Sequence, residues 1–300
     1  MSEDQARIVE RRVSIGGVRT RTLSVAGEGP TILLLHGFSD SADSFRPLLA
    51  RLAERRRRAV AVDLPGAGYA ESLGRPVFSS LDRFADALVA EFAGAGGAVL
   101  VGNSLGGLVS LRAAARPGLP LVAVAGLGPA GLAYHRRLES FARWTAWLDP
   151  MLRLLDLIPI PTWLVRRAAQ RLYQRRLLRG RGDADLARRY ADHIGRRALV
   201  DIRRDLIAVC AEPSLLQPET LDAMAVPVLL IWGDRDHLSD VGGAPTLLDA
   251  VTHSRLVVLD DCGHCPQVEY PELVADLLST LPTSAAGGQP TAPKITEGNR

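Results

Sequence analysis

An abrupt turn at residues 98–107 constrains the fold of this 300-residue chain more than any other stretch. A Val-rich apolar run ends at Gly102, and a helix-like run begins directly after Ser104. In so sharp a strand-to-helix turn, a side chain two residues before or after the serine would clash, which explains the glycines at 102 and 106. The pattern predicts that the Ser104 hydroxyl is held above a sheet edge as a nucleophile, although an inert Gly-rich loop can have the same spacing.

Short apolar runs and amphipathic runs alternate along the chain. The apolar runs predict strands at residues 7–15, 18–25, 31–35, 59–62, 98–102, 121–127, 226–232 and 255–259. The amphipathic runs predict helices at residues 44–55, 81–92, 105–115 and 270–281, and residues 26–30 form a predicted turn. This alternation predicts an α/β fold in which a mostly parallel sheet carries helices on both faces. In such sheets, functional sites gather at the carboxyl ends of the strands.

The composition changes between residues 129 and 213. There β-type runs stop, arginines become dense and prolines interrupt helical segments. We therefore predict a helical insertion into one core, which residues 1–128 and 214–282 form. The apolar stretch 144–164 predicts helices that pack on the core, with a lid over an apolar pocket or a membrane-surface element as alternatives. Residues 283–300, rich in Gly, Pro, Thr and Ala, form a tail that is predicted to be disordered.

The charge and the apolar pattern exclude several classes of protein. The net charge is only +3, so nothing predicts a nucleic-acid partner. No apolar run is long enough to span a bilayer, and the charged N-terminus lacks the apolar segment of a secretory signal. We therefore expect a cytoplasmic protein without firm membrane association, and the sequence leaves a homodimer open. Three cysteines do not make the framework of a disulfide-rich secreted protein.

A serine nucleophile needs a base, usually a histidine that a carboxylate orients. His264 is the predicted base, because it follows the last predicted strand on a loop bounded by Gly and Pro. The carboxylate is expected after the preceding strand, where Asp236 is the predicted acid and Asp234 the reserve. A turn-stabilising role is the alternative for either aspartate. The remaining histidines are assigned to a backbone-shaping loop, the insertion or the surface, and they are His36, His135, His193, His237 and His253.

Four motifs in this order resemble those of the α/β-hydrolase family over residues 7–281, the insertion excepted. They are His36-Gly37-Phe38, the Asp-Leu-Pro-Gly-Ala-Gly turn at residues 63–68, the serine turn, and Gly263-His264. The resemblance implies the α/β-hydrolase fold and a catalytic triad of Ser104, Asp236 and His264. It also implies that the backbone N–H groups of Phe38 and Leu105 form an oxyanion hole and that residues 129–213 form a helical cap. No cofactor or metal is expected.

Within that family, the motifs are those of a serine hydrolase acting through an acyl-enzyme on a small carboxylic ester with an apolar acyl or aryl group. The serine turn and Cys262-Gly263-His264 are also similar to meta-cleavage-product hydrolases, which cleave a carbon–carbon bond beside a ketone in ring-fission dienoates. Those enzymes usually carry Trp where this chain has Cys265, which favours the ester. A non-catalytic binding protein of the same fold is the third alternative, but such proteins usually lack a member of the triad.

The loop around His264 also carries a C-x-x-C pattern, from Cys262 to Cys265. Redox catalysis by this pattern requires a lowered thiol pKa, whereas the preceding Asp260 and Asp261 would raise the pKa of the thiols. A zinc site would need a second pair of ligands at suitable spacing, and the sequence does not supply one. We therefore expect neither cysteine to be catalytic.

Overall fold

The computed structural model describes residues 7–133, 147, 160–178, 184–211, 216 and 218–282. One sheet of eight strands, in the order β1-β2-β4-β3-β5-β6-β7-β8, runs through the described chain. The strands are β1 Val9–Ile15, β2 Val18–Val25, β3 Glu28–Leu35, β4 Arg57–Val62, β5 Ala98–Asn103, β6 Leu121–Leu127, β7 Val228–Gly233 and β8 Ser254–Leu259. From β4 to β8 every neighbouring pair is parallel, whereas β2 is antiparallel to both β1 and β4. The prediction of a mostly parallel sheet is confirmed.

Helices cover both faces of this sheet, as predicted. One face packs against α1 and α10, through an aliphatic cluster that includes Leu48, Leu52 and Leu278. The other face packs against α2, α3 and α8, through Leu88, Leu108 and Leu247 among others. The helices are α1 Arg46–Glu54, α2 Val77–Phe92, α3 Leu105–Ala114, α4 Thr162–Leu172, α5 Ala184–Arg196, α6 Leu199–Ala211, α7 Pro218–Asp222, α8 Ala244–Ala250, α9 Pro266–Glu269 and α10 Pro271–Ser279.

Two element boundaries lie more than two residues from the sequence prediction. Helix α2 begins at Val77, four residues before the predicted start, because Pro76 holds the N-cap position and the two apolar residues after it are buried. The predicted turn at residues 26–30 is shorter, since β3 already begins at Glu28. There the chain runs so close to β4 that a Cβ at Gly27 would lie 2.4 Å from the backbone of Arg57.

Helices α4, α5 and α6 lie between β6 and β7 in the chain, within the predicted insertion. A π-helical turn, Tyr173–Leu177, continues α4. The rings of Tyr173 and Tyr190 stack at 4.6 Å, and they belong to an apolar cluster that includes Cys265 and Val268 of the core. The apolar stretch 144–164 lies mostly outside the described residues, as does the tail 283–300. Nothing in the described part of the chain forms a helix long and apolar enough to cross a bilayer.

A cluster of buried charges also joins α5 to the core. Arg21 of β2 donates to Asp43 at 2.6 Å and to Asp63 at 2.8 Å. His193 of α5 contacts the same Asp43 oxygen through Nε2 at 2.8 Å. All four side chains are almost fully buried. Because each carboxylate has a cationic or N–H partner, the cluster avoids leaving a buried charge unpaired.

Candidate active site

Ser104 occupies the turn between β5 and α3 in a strained backbone conformation, with φ +52° and ψ −113°. The flanking glycines are sterically required. A Cβ at Gly102 would lie 2.0 Å from the carbonyl oxygen of Gly106, and a Cβ at Gly106 would lie 2.2 Å from that of Leu35. The strand, the strained serine and the helix therefore form the sharp turn that the sequence spacing predicted.

The backbone of this turn is fixed from both sides. The N–H of Ser104 donates to the carbonyl oxygen of Leu127 at 3.1 Å, at the end of the neighbouring strand β6. The carbonyl oxygen of Ser104 accepts from Leu108 in α3 and from Ala130, both at 3.0 Å. The serine itself is partly exposed, so its side chain is accessible on a rigid support.

His264 and Asp236 form a buried hydrogen-bonded pair. The Nδ1 atom of His264 lies 2.7 Å from Oδ2 of Asp236. The other oxygen, Oδ1, accepts from the N–H groups of Leu238 at 2.8 Å and Ser239 at 3.1 Å. A carboxylate only accepts hydrogen bonds, so Nδ1 carries a proton, and in the neutral ring Nε2 then holds the lone pair. A neutral imidazole in this tautomer can accept a proton at Nε2.

Asp234, the reserve acid of the sequence analysis, is placed differently. Its Oδ1 accepts from the N–H of Cys262 at 3.2 Å, and its Oδ2 lies 3.2 Å from the Arg235 guanidinium. The side chain is about one-third exposed and is not hydrogen-bonded to the His264 ring. Its observed contacts shape the loop, whereas Asp236 contacts the histidine.

Three further groups hold the His264 loop against the rest of the site. The amide of Asn103, next to Ser104, donates to the carbonyl oxygen of His264 at 2.9 Å. The N–H of His264 donates to the carbonyl oxygen of Leu177 at 3.0 Å, and Glu269 accepts from the N–H of Gly263 at 2.8 Å.

Among the described residues no hydrogen bond joins the Ser104 hydroxyl to the His264 ring. Such contacts are often long in unliganded sites, and Asn103 keeps the two residues close.

The loop after β3 approaches the serine closely. A Cβ at Gly37 would lie 3.3 Å from Cβ of Ser104, so a larger residue would crowd this contact. The next N–H, that of Phe38, donates to no other described residue. Leu105 is the first residue of α3, where an N–H has no intrahelical partner. These are the two N–H groups that the resemblance implied as oxyanion donors.

His36 has a structural environment. The ring is fully buried, accepts from the N–H of Leu64 at 2.9 Å through Nε2, and donates from Nδ1 to the carbonyl oxygen of Gly37 at 2.7 Å. Burial lowers the pKa of His36, so the ring stays neutral and both of its nitrogens are used. The ring therefore ties the loop after β3 to the turn after β4.

A small cavity of about 10 Å³ adjoins the oxyanion loop, with room for roughly one water molecule. Apolar side chains dominate its wall, including Phe38, Leu64, Leu73, Leu81 and Leu105. Its one carboxylate, Asp205 of α6, accepts from Arg75 at 2.9 Å and from Arg197 at 2.7 Å. The surroundings of this cavity suit an apolar group.

Both cysteines of the C-x-x-C pattern are buried, and neither forms a disulfide. Burial, together with the charges of Asp40 and Glu269, raises the pKa of Cys265 well above its usual value. A thiol of raised pKa is a poor redox nucleophile. Within the part of the chain that the structure describes, no group of three or more His, Cys, Asp or Glu side chains is arranged to bind a metal ion.

Comparisons with known proteins identify similar chains. A sequence model of the Alpha/beta hydrolase family matches residues 32–277. The chain is 30% identical to a pimeloyl-(acyl-carrier protein) methyl ester esterase of Xanthomonas oryzae pv. oryzae, over 87% of this chain and 98% of the relative. It is 26% identical to a 2-hydroxy-6-oxo-6-(2'-aminophenyl)hexa-2,4-dienoic acid hydrolase of Metapseudomonas resinovorans, over 90% of this chain and 89% of the relative. A crystal structure of a membrane phospholipase A superposes with a TM-score of 0.70 at 25% identity, covering 92% of this chain and 86% of that chain.

Proposed function

The chain belongs to the alpha/beta hydrolase family, and we propose that it is a serine hydrolase that cleaves a carboxylic ester through an acyl-enzyme. The observation that carries the proposal is the buried Asp236–His264 pair, held through Asn103 beside a strained, partly exposed Ser104. Its esterase and hydrolase relatives support the class of reaction.

In the proposed mechanism, Ser104 Oγ attacks the ester carbonyl while His264 Nε2 takes the hydroxyl proton. Asp236 keeps the ring in the tautomer that can do so and stabilises the imidazolium that forms. The N–H groups of Phe38 and Leu105 stabilise the oxyanion of the tetrahedral intermediate. His264 then returns the proton to the departing alcohol, and a water molecule, activated by the same ring, releases the acid and regenerates Ser104.

The walls of the cavity support an apolar acyl or aryl group. Phe38 and Leu105 belong both to this wall and to the proposed oxyanion hole, so the cavity begins next to the reacting carbonyl. Burying apolar surface here contributes about 25 cal/mol per Å² to binding. An acyl chain that fills more than the volume of one water requires side chains of the wall, such as Leu73, to move.

Cleavage of a carbon–carbon bond beside a ketone is the second candidate, and the dienoic acid hydrolase relative favours it. A dienoate carries a carboxylate, whose burial requires a cationic partner such as a bidentate arginine. Arg75 and Arg197, which donate to a residue of the cavity wall, both bind Asp205. Because that carboxylate already occupies them and would repel a second one, we rank the ester first.

Removing the nucleophile tests the proposed mechanism. Ser104→Ala should lower kcat by about 10⁴-fold or more and abolish labelling by a fluorophosphonate probe, with the fold intact. Equal labelling of the wild type and the variant would contradict the assignment of Ser104. Labelling of neither, together with no turnover, would favour a non-catalytic binding protein.

A side-by-side assay separates the two substrate classes. The assay compares p-nitrophenyl esters of graded acyl length with a 2-hydroxy-6-oxo-dienoate, and the expected result is a higher kcat/KM for an ester. A dienoate preference above about a hundredfold, near 3 kcal/mol of transition-state binding, would make carbon–carbon cleavage the function.

A further inference from the structure

Helix α4 exposes an apolar surface that the proposed chemistry does not use. Nine large apolar side chains are exposed among the described residues, and four of them lie within residues 160–172. They are Ile160, Trp163, Leu164 and Leu172, which are 49, 66, 45 and 50% exposed. Trp163 and Leu164 lie side by side in the first turn of α4, and Ile160 comes just before its N-cap residue, Pro161. Exposed apolar residues gathered in this way mark an interaction surface.

The same segment is strongly basic. Residues 160–178 contain five arginines and neither Asp nor Glu. Arg167, Arg171 and Arg175 are exposed, whereas Arg166 pairs with Asp192 of α5 at 3.4 Å. Within α4, Arg167 and Arg171 follow Trp163 at i+4 and i+8, so they lie on the same side of the helix, one and two turns beyond its apolar end. Along this face, apolar side chains therefore give way to positive charge.

We propose that α4 docks on the surface of an anionic phospholipid bilayer. Its apolar N-terminal end, with Trp163 and Leu164, enters the interface, and Arg167 and Arg171 contact lipid phosphates. A bilayer presents acyl chains directly beneath its phosphates, which matches the order of side chains along α4. A folded protein partner would need an apolar pocket and an acidic rim at the same spacing as these side chains.

The position of α4 relates such docking to the candidate active site. The helix continues through the π-helical turn to Leu177, whose carbonyl oxygen accepts from the N–H of His264. Tyr173 of that turn packs in the cluster that contains Cys265. The segment that carries the docking surface is therefore continuous with a contact of the proposed base. Because docking is measured without turnover, the inference can fail or hold independently of the proposed function.

Sedimentation of the full-length protein with lipid vesicles tests the proposal. We expect binding to phosphatidylcholine vesicles that contain phosphatidylglycerol, weaker binding to pure phosphatidylcholine, and a decrease with added salt. Arg167→Gln plus Arg171→Gln should lower the partition coefficient about 25-fold, roughly fivefold per arginine. Trp163→Ser plus Leu164→Ser should lower it about tenfold or more, because their apolar surface no longer leaves water.

Matched variants elsewhere on the surface separate docking from general effects. Leu273→Ser, at another exposed apolar residue, and Arg11→Gln, at an exposed arginine of β1, should bind vesicles as the wild type does. Ser104→Ala should also bind unchanged. Hydrolysis of a water-soluble ester should be unchanged in the α4 variants, which shows that they fold.

Three outcomes would overturn the proposal. The first is no sedimentation with phosphatidylglycerol vesicles, and the second is equal sedimentation of the wild type and both α4 variants. The third is binding of an acidic acyl-carrier protein that the α4 variants lose, without vesicle binding. That third result would assign the surface to a protein partner.

Discussion

Replacing Asp236 with asparagine tests the orientation of the proposed base. In the wild type, Oδ1 accepts from two backbone N–H groups, at 2.8 and 3.1 Å, and Oδ2 faces Nδ1 of His264 at 2.7 Å. Asparagine has one oxygen, and the two N–H groups require it. Its NH₂ group then faces Nδ1 and donates to it. The ring proton moves to Nε2, which can no longer accept the proton of Ser104.

The magnitude follows from that tautomer. With Nε2 protonated, the ring has to return to the Nδ1-protonated tautomer before each turnover. The two backbone hydrogen bonds that fix the orientation of the asparagine amide oppose this change. We expect Asp236→Asn to lower kcat/KM by more than about a hundredfold, or about 2.7 kcal/mol, and the loss reaches about 10⁴-fold where the wrong tautomer is fully enforced. Asp234→Asn is the matched control. It keeps an oxygen for the N–H of Cys262, so it should cost about tenfold or less.

The assay is ester hydrolysis under the same conditions for both variants, with circular dichroism and Tm as measures of folding. An Asp234→Asn variant slower than Asp236→Asn would refute the reasoning. So would a folded Asp236→Asn variant with activity within tenfold of the wild type, because the orientation of His264 would then not depend on this carboxylate.

Three further predictions concern other parts of the chain. Cys262→Ser plus Cys265→Ser should leave ester hydrolysis within about tenfold, since neither thiol takes part in acyl transfer, and insulin-disulfide reductase activity lost in this variant would contradict that. Leu73→Ala should raise the ratio of kcat/KM for longer acyl esters to that for shorter ones by about tenfold, measured with the p-nitrophenyl esters of graded acyl length. An unchanged ratio would mean that the acyl group binds elsewhere. Asp43→Asn should lower the free energy of unfolding by about 3 kcal/mol in denaturant titrations at pH 7, because it breaks a buried ion pair with Arg21. Burial alone would raise the pKa of Asp43, but hydrogen bonds and charges from its histidine and arginine partners hold it well below its usual range, so the wild-type advantage should decline only below about pH 4.

The turn at Ser104 could be predicted from the sequence because its constraint is local. Two glycines, a strand before and a helix after the serine leave one compatible geometry, and the contacts at Gly102 and Gly106 show why. The pairing of His264 with Asp236 could also be predicted from the sequence, for a related reason. Both residues follow parallel strands that are adjacent in the sheet, and the carboxyl ends of such strands meet at one edge.

The groups that hold His264 were not predictable in the same way. The side chain of Asn103 lies within the recognised turn, but its contact with His264 joins residues 161 positions apart. The bond from the N–H of His264 to Leu177 uses a backbone carbonyl, which any residue would provide, so the identity of the residue carries no signal. Glu269 sits five residues after His264, and its spacing alone does not distinguish a loop anchor from a surface acid.

Hydrogen bonds of the described residues tie the helices of the predicted insertion to the core, three of them at separate places. His193 of α5 binds Asp43, Asp205 of α6 binds Arg75, and Leu177 binds the N–H of His264. The contact of Leu177 differs from the other two because its partner is the proposed base itself. A shift of α4 and its π-helical turn away from the sheet would remove the hydrogen bond on His264 while leaving its contact with Asp236 in place. The insertion therefore helps to position this histidine, as well as lying beside the site.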